Sequence, residues 1–408
     1  MTNGQVNRSM PATRRALIVQ SGEARHVLAA ARALGAAGWE VGLAVSGEPA
    51  GRSRHVRRVH HVPVPERAPE AFLDGVALAV RACSYDVVFG ADDIEVLALS
   101  AGRDQVPCVV PHAAHAQVVR ALDKLELARA AERAGLAAPE TRPADEQGLA
   151  ALEGPAVVKA RLHWEPGEAP ARRHVEAVLC EDPRSAARHA RAMTAAGARP
   201  LLQAPVGGDL MALTVVIDHN GMPVGLAQQR STRLSLRRTS TRAQTVALEP
   251  HLAVAATRML RDLRWFGLAN LQFLRPPGGE PQLIDFNGRF YGSLALAVAA
   301  GVNLPDLWGR LALGERVRGR VIARPDVRFQ SLVEDVRRAR VERRAGLARD
   351  LVQTLTYAPG AVHPTASSRD PLPALALAGR LAGAGAARLV PTRRTPGPAA
   401  RPARHARA

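Results

Sequence analysis

The sequence predicts a mixed α/β and α+β multidomain protein, in which a small parallel α/β domain precedes a strand-rich α+β part. The 408 residues are enough for two or three hydrophobic cores, since domains run to roughly 100 to 200 residues each. The chain opens with a strand–helix–strand pattern over residues 16–45. After residue 155 short apolar strands dominate, and they end in a hairpin over residues 268–287.

The first 111 residues predict the small parallel sheet. Val27, Ala31 and Leu34 lie on one face of a predicted helix that joins strand 16–20 to strand 40–45. Residues 85–90 and 106–111 are mostly apolar and predict two more strands, with a helix over residues 94–101 between them. No GxGxxG follows the first strand, so a dinucleotide site is not indicated.

The middle of the chain predicts one helix and then mostly strands. The helix covers residues 121–134, carries Lys124 and is stopped by Gly135. A strand over residues 155–161 carries Lys159, and the polar residues 162–173, with two prolines, predict a mobile loop. Further strands, a helix over residues 249–263, the hairpin, and helices over residues 292–300 and 304–313 follow.

Composition indicates a soluble protein without a membrane segment. Apolar residues make up 47% of the chain but occur in short blocks, none long enough to cross a bilayer. The first fifteen residues lack the apolar stretch of a signal sequence, so we expect a cytoplasmic location. Cys83, Cys108 and Cys180 are isolated and lack CxxC spacing, which predicts buried, reduced thiols in place of a disulfide framework or a structural zinc site.

The net charge of +18 makes nucleic-acid binding a function to consider, because clustered cations gain affinity by releasing counterions from phosphate backbones. The excess is mostly dispersed, and its densest parts, residues 337–349 and 391–408, have few aromatic residues for base stacking. We therefore expect no specific nucleic-acid partner. The Pro-, Arg- and Ala-rich residues 391–408 predict a disordered basic tail.

Only two of the 55 basic side chains are lysines, Lys124 and Lys159. A lysine ammonium is a compact point charge, whereas the arginine guanidinium is a planar fork. Two lysines could also remain by chance in an arginine-rich sequence. The residues that surround them must therefore decide whether they share a function.

The hairpin carries three oxygen donors that we expect to converge. Asp285 and Asn287 are two apart on the second strand and therefore share a face. If Arg275 and Glu280 flank the turn, Gln272 lies opposite Leu283 and diagonal to Asp285, within roughly 7 to 8 Å. One carboxylate and two amides suit a Mg²⁺ ion that arrives with ATP, and a polar sheet face exposed to water is the alternative.

Arg289 follows these donors at the same two-residue spacing. A cation beside metal ligands is what phosphoryl transfer needs, because charge on the transferred phosphate must be offset in place.

In order along the chain, these residues resemble the ATP-grasp superfamily, and more closely the domains of the carbamoyl phosphate synthetase large chain and the carboxylate-amine ligases. The resemblance covers roughly residues 14–320. Its elements are the Asp123-Lys124 pair, the strand with Lys159, the hinge over residues 201–209, Gln272 and the run from Asp285 to Ser293.

The resemblance implies a pre-ATP-grasp α/β domain over residues 14–112 and a two-lobed ATP-grasp domain over residues 113–320. The small mobile lobe would cover about residues 135–205, and residues 321–390 would be a C-terminal extension packing on the core. The implied roles are as follows. Lys124 and Lys159 contact ATP phosphates; Gln203, Ala204, Val206 and Asp209 hold the nucleoside; Gln272, Asp285 and Asn287 hold Mg²⁺; Arg289 and Lys159 are the catalytic residues.

Several positions depart from the family pattern. Asp285 stands where Glu is usual, Gly288 replaces a common Pro, and Ala204 replaces a common hinge Glu. Asp92, Asp93, Arg230 and Arg233 are candidates for the acceptor site, and exposed charges explain them equally well. His112 and His115 have HxxH spacing without a third ligand, so we interpret them as structural.

The implied function is an ATP-dependent carboxylate-amine ligase. It would activate a small carboxylate as an acyl phosphate, transfer it to an amine, and release ADP and phosphate, with small-molecule carboxylate and amine substrates as partners and a homodimer allowed. Three alternatives stay open: bicarbonate as the activated acid, a thiol as the nucleophile, and a nucleotide-binding regulator of the same fold with weakened catalysis.

Overall fold

The computed structural model describes residues 13–21, 25–44, 49–162, 164, 177–235, 239–342 and 346–389. Most of the predicted loop over residues 162–173 and the predicted tail over residues 391–408 lie outside these ranges. No helix in the described ranges has the length and apolar character needed to cross a membrane.

The N-terminal domain is a four-stranded parallel sheet in the order β3-β2-β1-β4, flanked by helices. Its elements are β1 (Arg15–Val19), α1 (Arg25–Ala36), β2 (Glu40–Ala44), β3 (Val56–His60), α2 (Pro69–Cys83), β4 (Val87–Gly90) and α3 (Asp93–Ala101). β1 pairs with β2 on one side and with β4 on the other. Successive strands are therefore added on one side of β1 up to β3 and then on its other side, which makes β1 and β4 a topological switch point. Crevices at the carboxyl ends of strands at such a switch point are common ligand sites.

The strand predicted over residues 106–111 is wrong. Only Val109 pairs, through an isolated parallel bridge to Val87. Pro107 and Pro111 lack an N–H group, so this segment cannot donate a regular ladder of hydrogen bonds.

The helix predicted over residues 121–134 is two helices, α4 (His115–Leu122) and α5 (Lys124–Arg133). Asp123 lies between them in an extended conformation and caps α5 through its side chain. The break makes Lys124 the first residue of α5.

The small lobe is a four-stranded antiparallel sheet in the order β5-β8-β6-β7. Its elements are β5 (Thr141–Pro143), α6 (Glu146–Ala150), β6 (Ala156–Ala160), β7 (Val178–Cys180), α7 (Pro183–Ala195) and β8 (Pro200–Gln203). Val158, Leu202 and Met193 form a small core between one sheet face and α7. Lys159 therefore lies on the other face, because adjacent strand residues alternate.

The large lobe is built on a seven-stranded sheet in the order β13-β12-β9-β10-β11-β15, with β14 paired to β10. The strands are β9 (Asp209–Ile217), β10 (Pro223–Leu234), β11 (Ser240–Val246), β12 (Gly267–Arg275), β13 (Gln282–Asn287), β14 (Val321–Ile322) and β15 (Arg328–Gln330). The helices are α8 (Pro250–Asp262), α9 (Leu294–Ala299), α10 (Leu304–Ala312), α11 (Leu332–Glu342), α12 (Leu347–Tyr357) and α13 (Leu372–Leu389).

Trp308 on α10 connects the large lobe to the N-terminal domain. It is fully buried and packs edge-on against Phe89 of β4, with ring centroids 4.8 Å apart. Its indole N–H donates to the backbone oxygen of Pro111 over 2.7 Å. This junction fixes the carboxyl end of β4 relative to the large sheet.

The C-terminal helices are tied to both domains by buried ion pairs. Arg242 of β11 donates to Asp335 of α11 over 2.6 Å. Arg32 of α1 donates to Asp370 over 2.8 Å, and Asp370 is 2% exposed. Breaking one partner of such a buried pair is costly, so these contacts fix the C-terminal segment on the core.

The three thiols are free, as the cysteine spacing predicted. Their predicted burial holds only for Cys180, since Cys83 and Cys108 are partly exposed.

Candidate functional site

Gln272 and Asp285 lie directly opposite each other on β12 and β13. The predicted register, with Gln272 opposite Leu283, is wrong by two residues. The strands pair one residue out of the predicted register beside the turn, and a bulge that leaves Ile284 without a partner residue adds the second. A bulge inserts one residue and locally breaks the alternation of side chains. Gln272 and Asp285 nevertheless share a face, since opposite residues of an antiparallel pair point the same way.

Asn287 adds a second amide beside the carboxylate of Asp285. Nδ2 of Asn287 donates to Oδ2 of Asp285 over 3.5 Å. Among the described residues, no group of three or more His, Cys, Asp or Glu side chains could hold a metal ion. One carboxylate with amide oxygens from Gln272 and Asn287 fits Mg²⁺ that arrives with phosphate groups, because Mg²⁺ takes oxygen ligands and few carboxylates.

The ammonium group of Lys159 approaches this hairpin from the small lobe. Lys159 is 6% exposed, and its Nζ donates to Oε1 of Gln203 over 2.9 Å and to the backbone oxygen of Ile284 over 3.3 Å. Burial, and then the charge of Lys124, lowers the pKa of Lys159 to about 7, against the opposing effect of Asp285. Both acceptors are neutral, so an anion bound here would favour the charged ammonium.

Lys124 lies close to Lys159 because hydrogen bonds connect the start of α5 to the residue that follows β6. Oδ1 of Asp123 accepts from two backbone N–H groups of the first turn of α5. Its Oδ2 accepts from Nε of Arg161 over 2.7 Å, and the N–H of Lys124 donates to the backbone oxygen of Arg161 over 3.1 Å. The two lysines of the chain thus lie close enough for the charge of Lys124 to lower the pKa of Lys159.

Gln203 ends β8 and orients the lysine. It is 8% exposed, and its Nε2 donates to Oγ1 of Thr141 over 2.9 Å. That bond turns the amide oxygen towards Lys159. Gln203 therefore orients the lysine whose ammonium also contacts the hairpin.

The proposed nucleoside contacts lie on the connection between β8 and β9. Ala204 is exposed and Val206 is partly exposed, but the N–H of Ala204 already donates to the backbone oxygen of Glu140 over 2.9 Å. Asp209 is exposed at the first residue of β9. Gly208 has φ +117°, and a β-carbon there would lie 2.0 Å from a backbone oxygen of β12, so only glycine fits.

Arg289 is held by two carboxylates of the N-terminal domain. Its Nε donates to Oδ1 of Asp93 over 2.8 Å, and its Nη2 lies 3.0 Å from Oδ1 of Asp92. Burial opposes the charge, but these carboxylates and Asp285 raise the pKa of Arg289 above its ordinary value. The guanidinium therefore stays charged within the electrostatic reach of the hairpin donors.

Arg230 and Arg233 do not line this site. Arg230 lies opposite Met211 of β9, whereas Gln272 lies opposite the adjacent Ala212. Adjacent strand residues face opposite ways, so Arg230 and Gln272 lie on different faces of the sheet. Arg233 donates over 3.3 Å to a carboxylate of α12, which places it in the contact with the C-terminal helices.

His112 and His115 have separate partners inside the fold. His112 is 4% exposed, packs edge-on against Trp308, and its pKa is lowered by burial to about 3. Nδ1 of His115 lies 2.9 Å from Oγ of Ser100. Both contacts agree with the structural interpretation of these histidines.

Two contributors to the site carry no chemical signal in the sequence. The backbone oxygen of Ile284 accepts from Lys159, and an apolar residue name does not predict where its carbonyl points. Thr141 orients Gln203 from another strand. Only a three-dimensional pairing of β5 with β8 could have identified it.

A protein family described as ATP-grasp in the biosynthetic pathway with Ter operon matches residues 225–335. This range contains Gln272, Asp285, Asn287 and Arg289. No curated protein matches the sequence.

Solved structures of three kinds share the fold over most of this chain. The biotin carboxylase domain of the Hydrogenobacter thermophilus 2-oxoglutarate carboxylase, in complex with MgADP, ADP and bicarbonate, is 13% identical with a TM-score of 0.59, covering 76% of this chain and 71% of that one. The L-amino acid ligase of Bacillus licheniformis is 16% identical with a TM-score of 0.58, covering 74% of each chain. The ADP complex of Staphylococcus aureus N5-carboxyaminoimidazole synthetase is 12% identical with a TM-score of 0.59, covering 78% and 82%.

Proposed function

Because the chain has the ATP-grasp fold that its motif order predicted, we propose that it is an ATP-dependent ligase that joins a small carboxylate to an amine. The observation that carries this proposal is the position of Lys159 between the small lobe and the β12–β13 hairpin. Lys159 lies buried there beside Lys124, with two neutral hydrogen-bond acceptors and Asp285 nearby. A buried ammonium in that setting is stabilised by an anion, and the phosphates of ATP supply one.

The proposed reaction has two steps, in which ATP is a substrate. An oxygen of the substrate carboxylate attacks the γ-phosphorus, the bond from that phosphorus to the β,γ-bridging oxygen breaks, and ADP leaves. The amine nitrogen then attacks the acyl carbon, the carbon–oxygen bond to phosphate breaks, and the nitrogen loses a proton. Covalent activation replaces one difficult step with two easier ones.

The chain's residues divide these tasks between the lobes. Lys124 and Lys159 bind phosphate oxygens and orient the triphosphate. The connection from Gln203 to Asp209 holds the base and ribose. Arg289 offsets charge on the transferred phosphate.

Gln272, Asp285 and Asn287 would hold Mg²⁺ through their oxygen atoms. Bound there, Mg²⁺ polarises the phosphate oxygens and offsets their charge. Asp285 contributes the only carboxylate of these three ligands, so it sets the charge of the protein part of the site.

The test is phosphate release from ATP in the presence of pooled small carboxylates and pooled amines. We expect release above the basal rate only when both pools are present, and none from Asp285→Asn under the same conditions. Hydroxylamine in place of the amines should trap an acyl hydroxamate. Release with bicarbonate alone, or with thiols in place of amines, would assign one of the alternative chemistries. ATP binding without release under any of these conditions would favour a nucleotide-binding regulator.

A further inference from the structure

The guanidinium group of Arg289 spans the contact between the large lobe and the N-terminal domain. Its Nε donates to Asp93, its Nη2 lies 3.0 Å from Asp92, and its Nη1 donates to the backbone oxygen of Phe290 over 3.1 Å. Within the described chain these bonds engage three of the five N–H groups of a guanidinium. Its other two N–H groups make no hydrogen bond to the described residues and can donate to a bound anion.

The two carboxylates differ in burial. The side chain of Asp93 is 7% exposed and that of Arg289 is 15% exposed, whereas the side chain of Asp92 is 53% exposed. An exposed ion pair contributes little, and a buried, hydrogen-bonded one is costly to break. The bond to Asp93 therefore fixes the direction of the guanidinium, and the bond to Asp92 adds little to it.

Asp93 itself sits on a rigid frame. It is the first residue of α3, whose capping box joins Asp92 and Glu95. Glu95 is 1% exposed, accepts from the backbone N–H of Asp92 over 3.0 Å, and accepts from the N–H of Ser21 at the end of β1 over 2.7 Å. The carboxylate of Asp93 is thus held by the carboxyl ends of the two strands at the switch point.

We propose that Asp93 is a positioning residue, through which the N-terminal domain aims the guanidinium of Arg289 at the transferred phosphate. The inference rests on the proposed function for the identity of that phosphate. It changes the interpretation of the Asp92-Asp93 pair, because the carboxylate of Asp93 contacts Arg289 inside the fold instead of an acceptor substrate. The N-terminal domain then takes part in phosphoryl transfer without touching ATP.

The first experiment needs no ligand. Exchange of the Arg289 Nε–H with water is measured by ¹⁵N NMR in the unmodified protein, in Asp93→Ala and in the control Asp92→Asn, whose amide oxygen can still cap α3. A hydrogen bond between charged groups is stronger than one between neutral groups, so we expect exchange at least about tenfold faster in Asp93→Ala. The control should change it less than about threefold, because its pair is exposed. Equal exchange in all three proteins would overturn the inference.

The second experiment compares the affinity for ADP with that for a β,γ-methylene analogue of ATP. Arg289→Ala should weaken analogue binding about tenfold or more and leave ADP binding unchanged. Asp93→Ala should reproduce this loss, and Asp93→Asn should recover part of it because its amide oxygen can still accept from Nε. The double variant Asp93→Ala/Arg289→Ala should lose no more affinity for the analogue than Arg289→Ala alone, because the effects of two residues that act through one contact are not additive.

These outcomes separate the positioning role from other causes. A merely destabilised variant would lower affinity for both nucleotides, so an unchanged ADP-to-analogue ratio in Asp93→Ala, or additive losses in the double variant, would refute the inference. Absence of all nucleotide binding in the unmodified protein would refute the proposed function instead. The exchange measurement on Arg289 would still decide whether Asp93 fixes its guanidinium.

Discussion

Lys159 makes the proposed site sensitive to pH, and replacing it with Met should remove that sensitivity. The ammonium is 6% exposed, and burial together with Lys124 lowers its pKa from 10.5 to about 7. Met keeps an unbranched side chain of similar length and cannot bind a proton. The change therefore removes the titrating group with little change in packed volume.

The sign of the effect follows from the two pKa values. Below pH 7 the folded protein holds a buried charge that the unfolded chain exposes to water, and the cost is on the order of 5 kcal/mol. Between pH 7 and 10.5 only the unfolded state binds this proton, so the contribution of Lys159 to stability rises with pH. The ligand-free Lys159→Met protein should thus unfold at a higher temperature than the unmodified protein at pH 6.5, and the difference should shrink towards pH 9.

MgATP binding should raise the pKa of Lys159 again, because a phosphate beside Nζ favours the charged ammonium. With a pKa of about 7, roughly nine-tenths of Lys159 is neutral at pH 8 and about one-tenth at pH 6. Calorimetry in buffers of different ionisation enthalpy should therefore detect uptake of about 0.9 proton at pH 8 and about 0.1 at pH 6.

Three variants complete the experiment. Lys159→Met should show no such uptake at pH 8, and Lys124→Gln should show less than the unmodified protein because it removes a charge that lowers the pKa of Lys159. Lys159→Arg keeps its charge at both pH values and should bind ATP more weakly, since a fork does not replace a point charge in a fitted site. Equal proton uptake by Lys159→Met and the unmodified protein would show that Lys159 does not meet the phosphates.

Three further changes test other parts of the fold and site. Asp285→Asn should leave the melting temperature of the ligand-free protein nearly unchanged and reduce the extra stability gained with MgATP, measured by thermal shift; full stabilisation would remove Asp285 from the metal site. Gly208→Ala should destabilise by about 1–3 kcal/mol in urea unfolding, whereas Gly207→Ala, with open space around it, should be neutral. Trp308→Phe should cost about 1–3 kcal/mol in the same assay, because the buried oxygen of Pro111 loses its donor.

The hairpin shows how far strand periodicity can predict a site. Alternation put Gln272, Asp285 and Asn287 on one face, but the register it assumed was two residues out at Gln272, one at the turn and one at the bulge. A bulge adds a residue without any required sequence signal, and Ile284 is as apolar as a regular strand residue. Gln272 and Asp285 are consequently a direct pair and not a diagonal one.

The N-terminal half shows a different limit. Apolar periodicity predicted β1, α1, β2, β4 and α3 but missed β3 and α2. It also missed the break at Asp123, because neighbouring residues favour one continuous helix. The side chain of Asp123 accepts hydrogen bonds from two N–H groups of the next helix and from Arg161, which lies 38 residues later in the chain. A helix cap that is stabilised by a residue distant in sequence can be recognised only when the fold shows that the two residues are in contact.

The lysine count became informative only in three dimensions. Chance survival of two lysines would place no limit on their separation in space, yet Lys124 and Lys159 come from different elements and lie close enough for one charge to lower the pKa of the other. Arginines form many of the structural ion pairs, such as Arg338 with Asp350 over 2.6 Å. A planar fork suits such fixed, multidentate contacts, and a single ammonium suits a mobile phosphate oxygen. The use of arginines in structural ion pairs and of the two lysines together at the hairpin therefore supports a phosphate site at the lysines. The proton-uptake experiment tests directly whether phosphate binds beside Lys159.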